Sequence, residues 1–119
     1  MKLHPFLAAP AAALLLSGCA TITGGELVQP GQPVTQLVVY NNTGMTINAL
    51  TISKCNAMSH GLNRLTSGQY IPNGGRMRFS ISPGCWDVMA GSTSGSAASN
   101  QRYTAEANTE MEIEFGPVQ

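Results

Sequence analysis

Hydrophobic and polar positions alternate with a period of two through most of this chain. The alternation is cleanest near the end, where Met111, Ile113 and Phe115 stand against Glu110, Glu112 and Glu114. That pattern predicts a strand with one face buried and the other in water. Upstream, Met77, Phe79 and Ile81 alternate with Arg76, Arg78, Ser80 and Ser82, while Trp86, Val88 and Ala90 share a face with Asp87 opposite. Gln101 to Ala107 sets Tyr103, Ala105 and Ala107 on one side. Gln36 to Tyr40 is a further β-rich run, ended by Asn41, Asn42, Thr43 and Gly44, residues that accept the backbone of a tight hairpin turn. Met45 to Ser53 is the expected hairpin partner. Within it Met45, Ile47 and Ala49 fall on one face and Leu50 and Ile52 on the other, which calls for burial on both sides or a bulge.

The segments between these runs carry turn chemistry. Pro72, Asn73, Gly74 and Gly75 force a turn, Pro83 and Gly84 predict a second hairpin into Cys85 to Ala90, and Asn108 with Thr109 precedes the last strand. Asn56 to Gln69 shows no alternation and carries Gly61 and Gly68, so it reads as a long connection from one sheet to another. Gly91 to Asn100 has no apolar anchor and reads as a mobile loop. With no long helix and no internal repeat, six or seven short strands predict an all-β fold. The expected architecture is a small antiparallel β-sandwich of immunoglobulin-like or transthyretin-like kind, with a small barrel as the alternative.

The N-terminus follows other rules. Met1 and Lys2 give a positive start, and the apolar run Phe6 to Leu16 falls short of the roughly 20 residues of a spanning helix, which fits a secretory leader. Leu16, Ser17, Gly18 and Cys19 follow directly, and this tetrapeptide resembles the lipobox of bacterial lipoproteins. The resemblance implies cleavage between Gly18 and Cys19, a diacylglycerol thioether on the Cys19 sulfur, and a fatty acyl group such as palmitate on the new amino group. Three acyl chains at about 0.8 kcal/mol per buried methylene hold a protein on a bilayer without help from its fold. Ala20, rather than Asp, follows the cysteine, which in such lipoproteins implies export to the outer membrane with the domain facing the periplasm. The other reading is a secreted protein cut elsewhere. The expected organisation is residues 1–18 as signal peptide, 19–36 as lipidated cysteine and flexible tether, and 37–119 as the sandwich. Gly24, Gly25, Pro30, Gly31 and Pro33 suit the tether.

Charge and cysteine count sharpen this. The 119 residues hold six Lys+Arg and six Asp+Glu, and loss of Lys2 with the leader makes the remainder slightly acidic. No basic cluster exists to neutralise phosphates, so nucleic acid is not an expected partner. Three cysteines are awkward in an oxidising compartment, and lipidation of Cys19 leaves Cys55 and Cys85 to pair. Their bridge would close a loop of about 31 residues and contribute on the order of 3 to 4 kcal/mol. The spacing is unlike the Cys-x-x-Cys of a redox-active pair, so a structural bridge is expected.

A second resemblance covers Tyr40 to Ala90. Its elements are Asn42-Thr43-Gly44 with Ile47, Ser53, Gly61 and Asn63 with Leu65, Ile71 with Gly74, and Gly84-Cys85-Trp86-Asp87-Val88. Together they resemble a group of small bacterial lipoproteins and exported domains without a settled activity, and imply a β-sandwich. His60 stands before Gly61 where that group tends to carry a Trp.

Reactive side chains are scarce. Past the leader there is one His, His60, one Asp, Asp87, and no Gly-x-Ser-x-Gly around any serine. His60 has no neighbouring Cys or carboxylate at ligand spacing, so neither catalysis, metal nor cofactor is expected. Trp86 beside Asp87 would anchor a partner or a sugar if exposed, although its parity with Val88 and Ala90 points to the core. His60, Asn63 and Arg64 are further binding candidates. The Arg76 and Arg78 stripe suits anionic headgroups or glycan, against pairing with the final glutamates or plain solvation. The expected function is a non-enzymatic interaction or accessory module with a protein partner of unknown identity. The alternative is an inhibitor or immunity lipoprotein that blocks a periplasmic hydrolase or toxin through Gly91 to Asn100 or His60 to Leu65.

Overall fold

The structure, a computed structural model, describes residues 26–94 and 99–117. The expected leader, Cys19 with its lipobox-like tetrapeptide, and positions 95–98 of the segment expected as a loop lie outside the described residues, while Gly91, Ser99 and Asn100 of that expected loop are in strands. Six strands are present among them: β1 (Thr35–Asn41), β2 (Ala49–Lys54), β3 (Arg76–Ile81), β4 (Gly84–Gly91), β5 (Ser99–Ala105) and β6 (Glu110–Phe115). They form two sheets, ordered β3-β1-β6 and β2-β4-β5, and the fold is a small all-β sandwich.

Inner faces follow the expected alternation. Leu37 and Val39 of β1, Ile81 of β3, and Ile113 and Phe115 of β6 meet Leu50 and Ile52 of β2, Trp86, Val88 and Ala90 of β4, and Ala105 of β5. Met77, Phe79, Tyr103 and Met111 are only partly buried, because β3, β5 and β6 are edge strands. Trp86 is 1% exposed and sits in this core. Its indole N–H, which would be costly to bury unpaired, donates to the Ser82 carbonyl at 2.8 Å.

Two expected hairpins are absent. β1 and β2 belong to different sheets, and so do β3 and β4. Of consecutive strands, only β4 and β5 pair, antiparallel from Gly84↔Ala105 to Ala90↔Ser99. The Asn41 to Gly44 turn bends the chain across the sandwich because Asn41 is buried and its amide is fully engaged. Its Nδ2 donates to the carbonyls of Met45 and Ile71, and its Oδ1 accepts from the Thr43 N–H and hydroxyl. The Met45 to Ser53 run is consequently broken. Ile47 makes an isolated bridge to Ile71, and the strand proper starts at Ala49, which accounts for the change of parity between Ile47 and Leu50. At Pro83-Gly84 the chain turns a corner between sheets, with Gly84 at φ 133°, a conformation that favours glycine.

β1 is the centre of the first sheet. It pairs antiparallel with β3, Thr35↔Ile81 to Tyr40↔Arg76, and parallel with β6, Gln36↔Glu110 to Asn41↔Phe115. The end of the sandwich holding Thr35, Ile81, Gly84 and Glu110 is here termed the lower pole. The opposite, upper pole lies about 25 Å away, the length of the eight-residue β4. Thr35 and Gln36, expected in the flexible tether, are already in β1, and residues 27–29 of that expected tether dock at the lower pole. Ser82 N–H donates to the Leu27 carbonyl at 2.7 Å, Gln29 N–H donates to the Ser82 hydroxyl at 2.6 Å, and Leu27 packs on the core. Ser82 lies at a sheet crossing, where its N–H has no ladder partner, and Leu27 supplies one.

Cys55 and Cys85 are joined, with their Cα atoms 5.4 Å apart. The bridge ties the end of β2 to the start of β4 at the lower pole and encloses β3 in its loop. Reduction, or the double substitution Cys55→Ala and Cys85→Ala, is expected to lower unfolding stability by about 3 to 4 kcal/mol. Urea titrations of the oxidised and reduced protein measure this difference.

Candidate functional site

The outer face of the second sheet carries a polar row across three strands: Ser53 of β2, Asp87 of β4 and Arg102 of β5 stand opposite one another in register. Asp87 is 7% exposed, and both of its oxygens are taken by one guanidinium. Arg102 Nε donates at 2.8 Å and Nη2 at 3.0 Å. This two-point hydrogen bond holds the Asp87 carboxyl below the usual carboxylate range, burial pushes it back up, and the charges of Arg102 and His60 lower it further. His60 is exposed on the connection and lies within electrostatic reach of Asp87. The carboxylate is committed to Arg102, and Ser53 beside it is buried.

Asn63 and Arg64 serve the backbone. The Asn63 Oδ1 accepts from the N–H groups of Leu50 at 2.8 Å and Leu65 at 3.0 Å, and its Nδ2 donates to the Asn48 carbonyl at 2.9 Å. Arg64 N–H donates to the Leu50 carbonyl, and its guanidinium donates to the Ile52 carbonyl at 2.7 Å. These are the groups that β2 would present from its free edge, so the connection closes that edge. Burial lowers the Arg64 pKa from its ordinary value, and the side chain remains charged at neutral pH.

The arginine stripe faces its glutamates over β1. Arg76 Nε bonds the Glu112 carboxylate at 2.9 Å, Arg78 bonds Glu110, and Glu114 accepts from Asn42. The Arg76 guanidinium also lies 4.2 Å from the centre of the Tyr40 ring. The charges of this face are met by one another, as cross-strand pairing requires.

A cleft of about 710 Å³ opens at the upper pole. Thr46, Asn48, Asn63, Thr66, Gln69 and Tyr70 contribute to its wall, and among the described residues none that lines it is charged. Leu65, buried, is its apolar floor, and Tyr70 is 56% exposed. Two amides are held in fixed orientation. Asn48 Oδ1 accepts from Thr93 N–H at 2.8 Å, and Gln69 Oε1 accepts from Thr66 N–H at 3.0 Å. A backbone N–H only donates, so the oxygen of each amide faces it and the NH₂ group points elsewhere. Gln69 N–H returns to the Thr66 carbonyl at 2.9 Å, closing the turn through Gly68 at φ 87°.

Of the five binding candidates, Trp86 is in the core, Asp87 is paired, His60 is exposed on the connection, Arg64 and Asn63 bond the backbone, and of the five Asn63 alone also borders the cleft. Sequence reasoning missed the cleft: the non-alternating, amide- and hydroxyl-bearing stretch Asn63 to Tyr70 marks one wall, and nothing in the sequence joins it to Thr46, Asn48 and Thr93. The chain matches no protein-family model, and no curated protein matches it.

Two outcomes follow from these contacts. Asn63→Ala leaves two N–H groups and one carbonyl without their side-chain partner, and is expected to destabilise the protein by about 2 to 3 kcal/mol. Urea unfolding gives the size, and faster hydrogen exchange at Leu50 N–H gives the place. For Asp87 the folded pKa lies below the unfolded value, so its contribution is present above the usual carboxylate range and is lost as pH falls through the folded value. Asp87→Asn is therefore expected to lower the urea midpoint at neutral pH, with the gap to wild type closing toward low pH.

Proposed function

We propose that this chain is a lipoprotein of the outer membrane, held through acylated Cys19, whose sandwich serves as a non-enzymatic binding module facing the periplasm. The reading is carried by Leu16-Ser17-Gly18-Cys19 behind its apolar run, and its geometry by Leu27. It lies eight residues after Cys19, a span of at most about 28 Å when extended, and it is hydrogen-bonded to Ser82 at the lower pole. A bilayer anchor at Cys19 thus keeps the lower pole within about 28 Å of the lipid and leaves the upper pole, with its cleft, at the end remote from the attachment.

Commitment of the reactive side chains supports a binding role over catalysis. Asp87 is paired with Arg102 and Arg64 with backbone carbonyls, while the open, uncharged cleft is walled by amides, hydroxyls and one aromatic ring. The disulfide fits an oxidising compartment.

Cys19→Ser is expected to abolish incorporation of labelled palmitate and to leave the precursor unprocessed, or the domain in the soluble fraction. Labelling and membrane fractionation unchanged from wild type would refute the anchor.

A further inference from the structure

We propose that the upper-pole cleft binds a neutral oligosaccharide bearing acetamido groups, with Tyr70 as the stacking platform and Gln69 and Asn48 as donors to the acetamido carbonyl. No described residue lining the cleft is charged, which disfavours phosphates, nucleotides and ionic peptides. Its volume of about 710 Å³ falls within the range of small-ligand sites. It offers what a sugar needs: an exposed aromatic face for the apolar side of a pyranose ring, and hydroxyl and amide groups for its edges.

The fixed amides narrow the class. With their oxygens occupied by Thr66 and Thr93 N–H groups, Gln69 and Asn48 each retain an NH₂ group without a hydrogen-bond acceptor among the described residues. Two donors already held in place favour a ligand rich in carbonyl acceptors, and their fixed rotamers spare the ordering entropy that binding otherwise costs. An acetamido sugar supplies a carbonyl on each such ring. An extended peptide also carries carbonyls, but binding it by strand addition needs an open strand edge. The β2 edge beside the cleft is already occupied by Asn63 and Arg64.

This ligand assignment deepens the binding-module reading and rests on it for its setting, while its chemistry is independent of the acyl anchor. Acylated full-length protein in detergent micelles, titrated with chitotetraose, is expected to give saturation-transfer NMR signals at the N-acetyl methyl and ring protons. Cellotetraose, the same kind of chain without acetamido groups, should bind about tenfold more weakly. Tyr70→Ala should weaken chitotetraose binding by about tenfold. Gln69→Glu, which keeps the acceptor for Thr66 N–H and removes the amide donor, should do the same with an unchanged melting temperature. The assignment is overturned by absent transfer at about 10 mM sugar, a concentration well above the millimolar affinity expected of a shallow open site. It is equally overturned by binding that neither variant weakens, by equal affinity for cellotetraose, or by a neutral tetrapeptide that binds in place of the sugar with the same Tyr70 dependence. A chain that fractionates with membranes but ignores chitotetraose overturns the cleft assignment alone. A chain that binds the sugar yet carries no acyl group overturns the anchor alone.

Discussion

Backbone polar groups must find partners wherever this chain leaves one sheet for the other, and it does so at every strand connection except β4 to β5. At such a crossing the ladder stops while the backbone is still covered by the sandwich, so N–H and C=O groups would be stranded. A few short polar side chains replace the ladder. Asn41 serves the crossing from β1, Asn63 the connection beyond β2, and Ser82, with Leu27, the corner before β4. The Thr35 hydroxyl donates to the Glu106 carbonyl at the turn between β5 and β6. These buried or half-buried groups set the topology as firmly as the apolar core does. The core accepts many pairings of ribbons, but the polar partners accept one.

The outer faces show how the same sheets meet water. On the first sheet, arginines of β3 reach over the central strand to glutamates of β6, and they roof Val38 and the ring of Tyr40. Such exposed pairs each contribute about 0 to 1 kcal/mol, so their weight lies in covering apolar surface and placing charge beside the β3 and β6 edges. On the second sheet, Arg102 and Asp87 do the equivalent between β4 and β5, and Asn63 with Arg64 closes β2. Because β1 pairs only with strands far along the chain, sheet formation depends on non-local contacts. The Cys55–Cys85 bridge restricts the unfolded chain that must find them.

Face assignment was legible along the sequence and strand pairing was not. Which of Met77, Arg78 or Phe79 points inward follows from a local period of two, and β3, β4 and β6 obey it. Whether Asn41-Asn42-Thr43-Gly44 or Pro83-Gly84 returns the chain alongside itself or across the sandwich is decided by the neighbouring sheet. The turn chemistry is the same in both cases. The two-cysteine bridge was readable by counting once Cys19 was set aside. The cleft was not, since it assembles Thr46 and Asn48, the stretch from Asn63 to Tyr70, and Thr93, which lie far apart in sequence. Asn63 illustrates the limit. Its residue type suggests a ligand contact, whereas a short amide within bonding distance of an open strand edge serves the backbone first.

The parallel pairing of β1 with β6 has a mechanical consequence. The chain enters β1 at the lower pole and leaves β6 at the upper one, so a pull between the start of β1 and the end of β6 runs along these neighbouring strands. The six register pairs from Gln36↔Glu110 to Asn41↔Phe115 then bear the load together, in shear, rather than being peeled open one at a time.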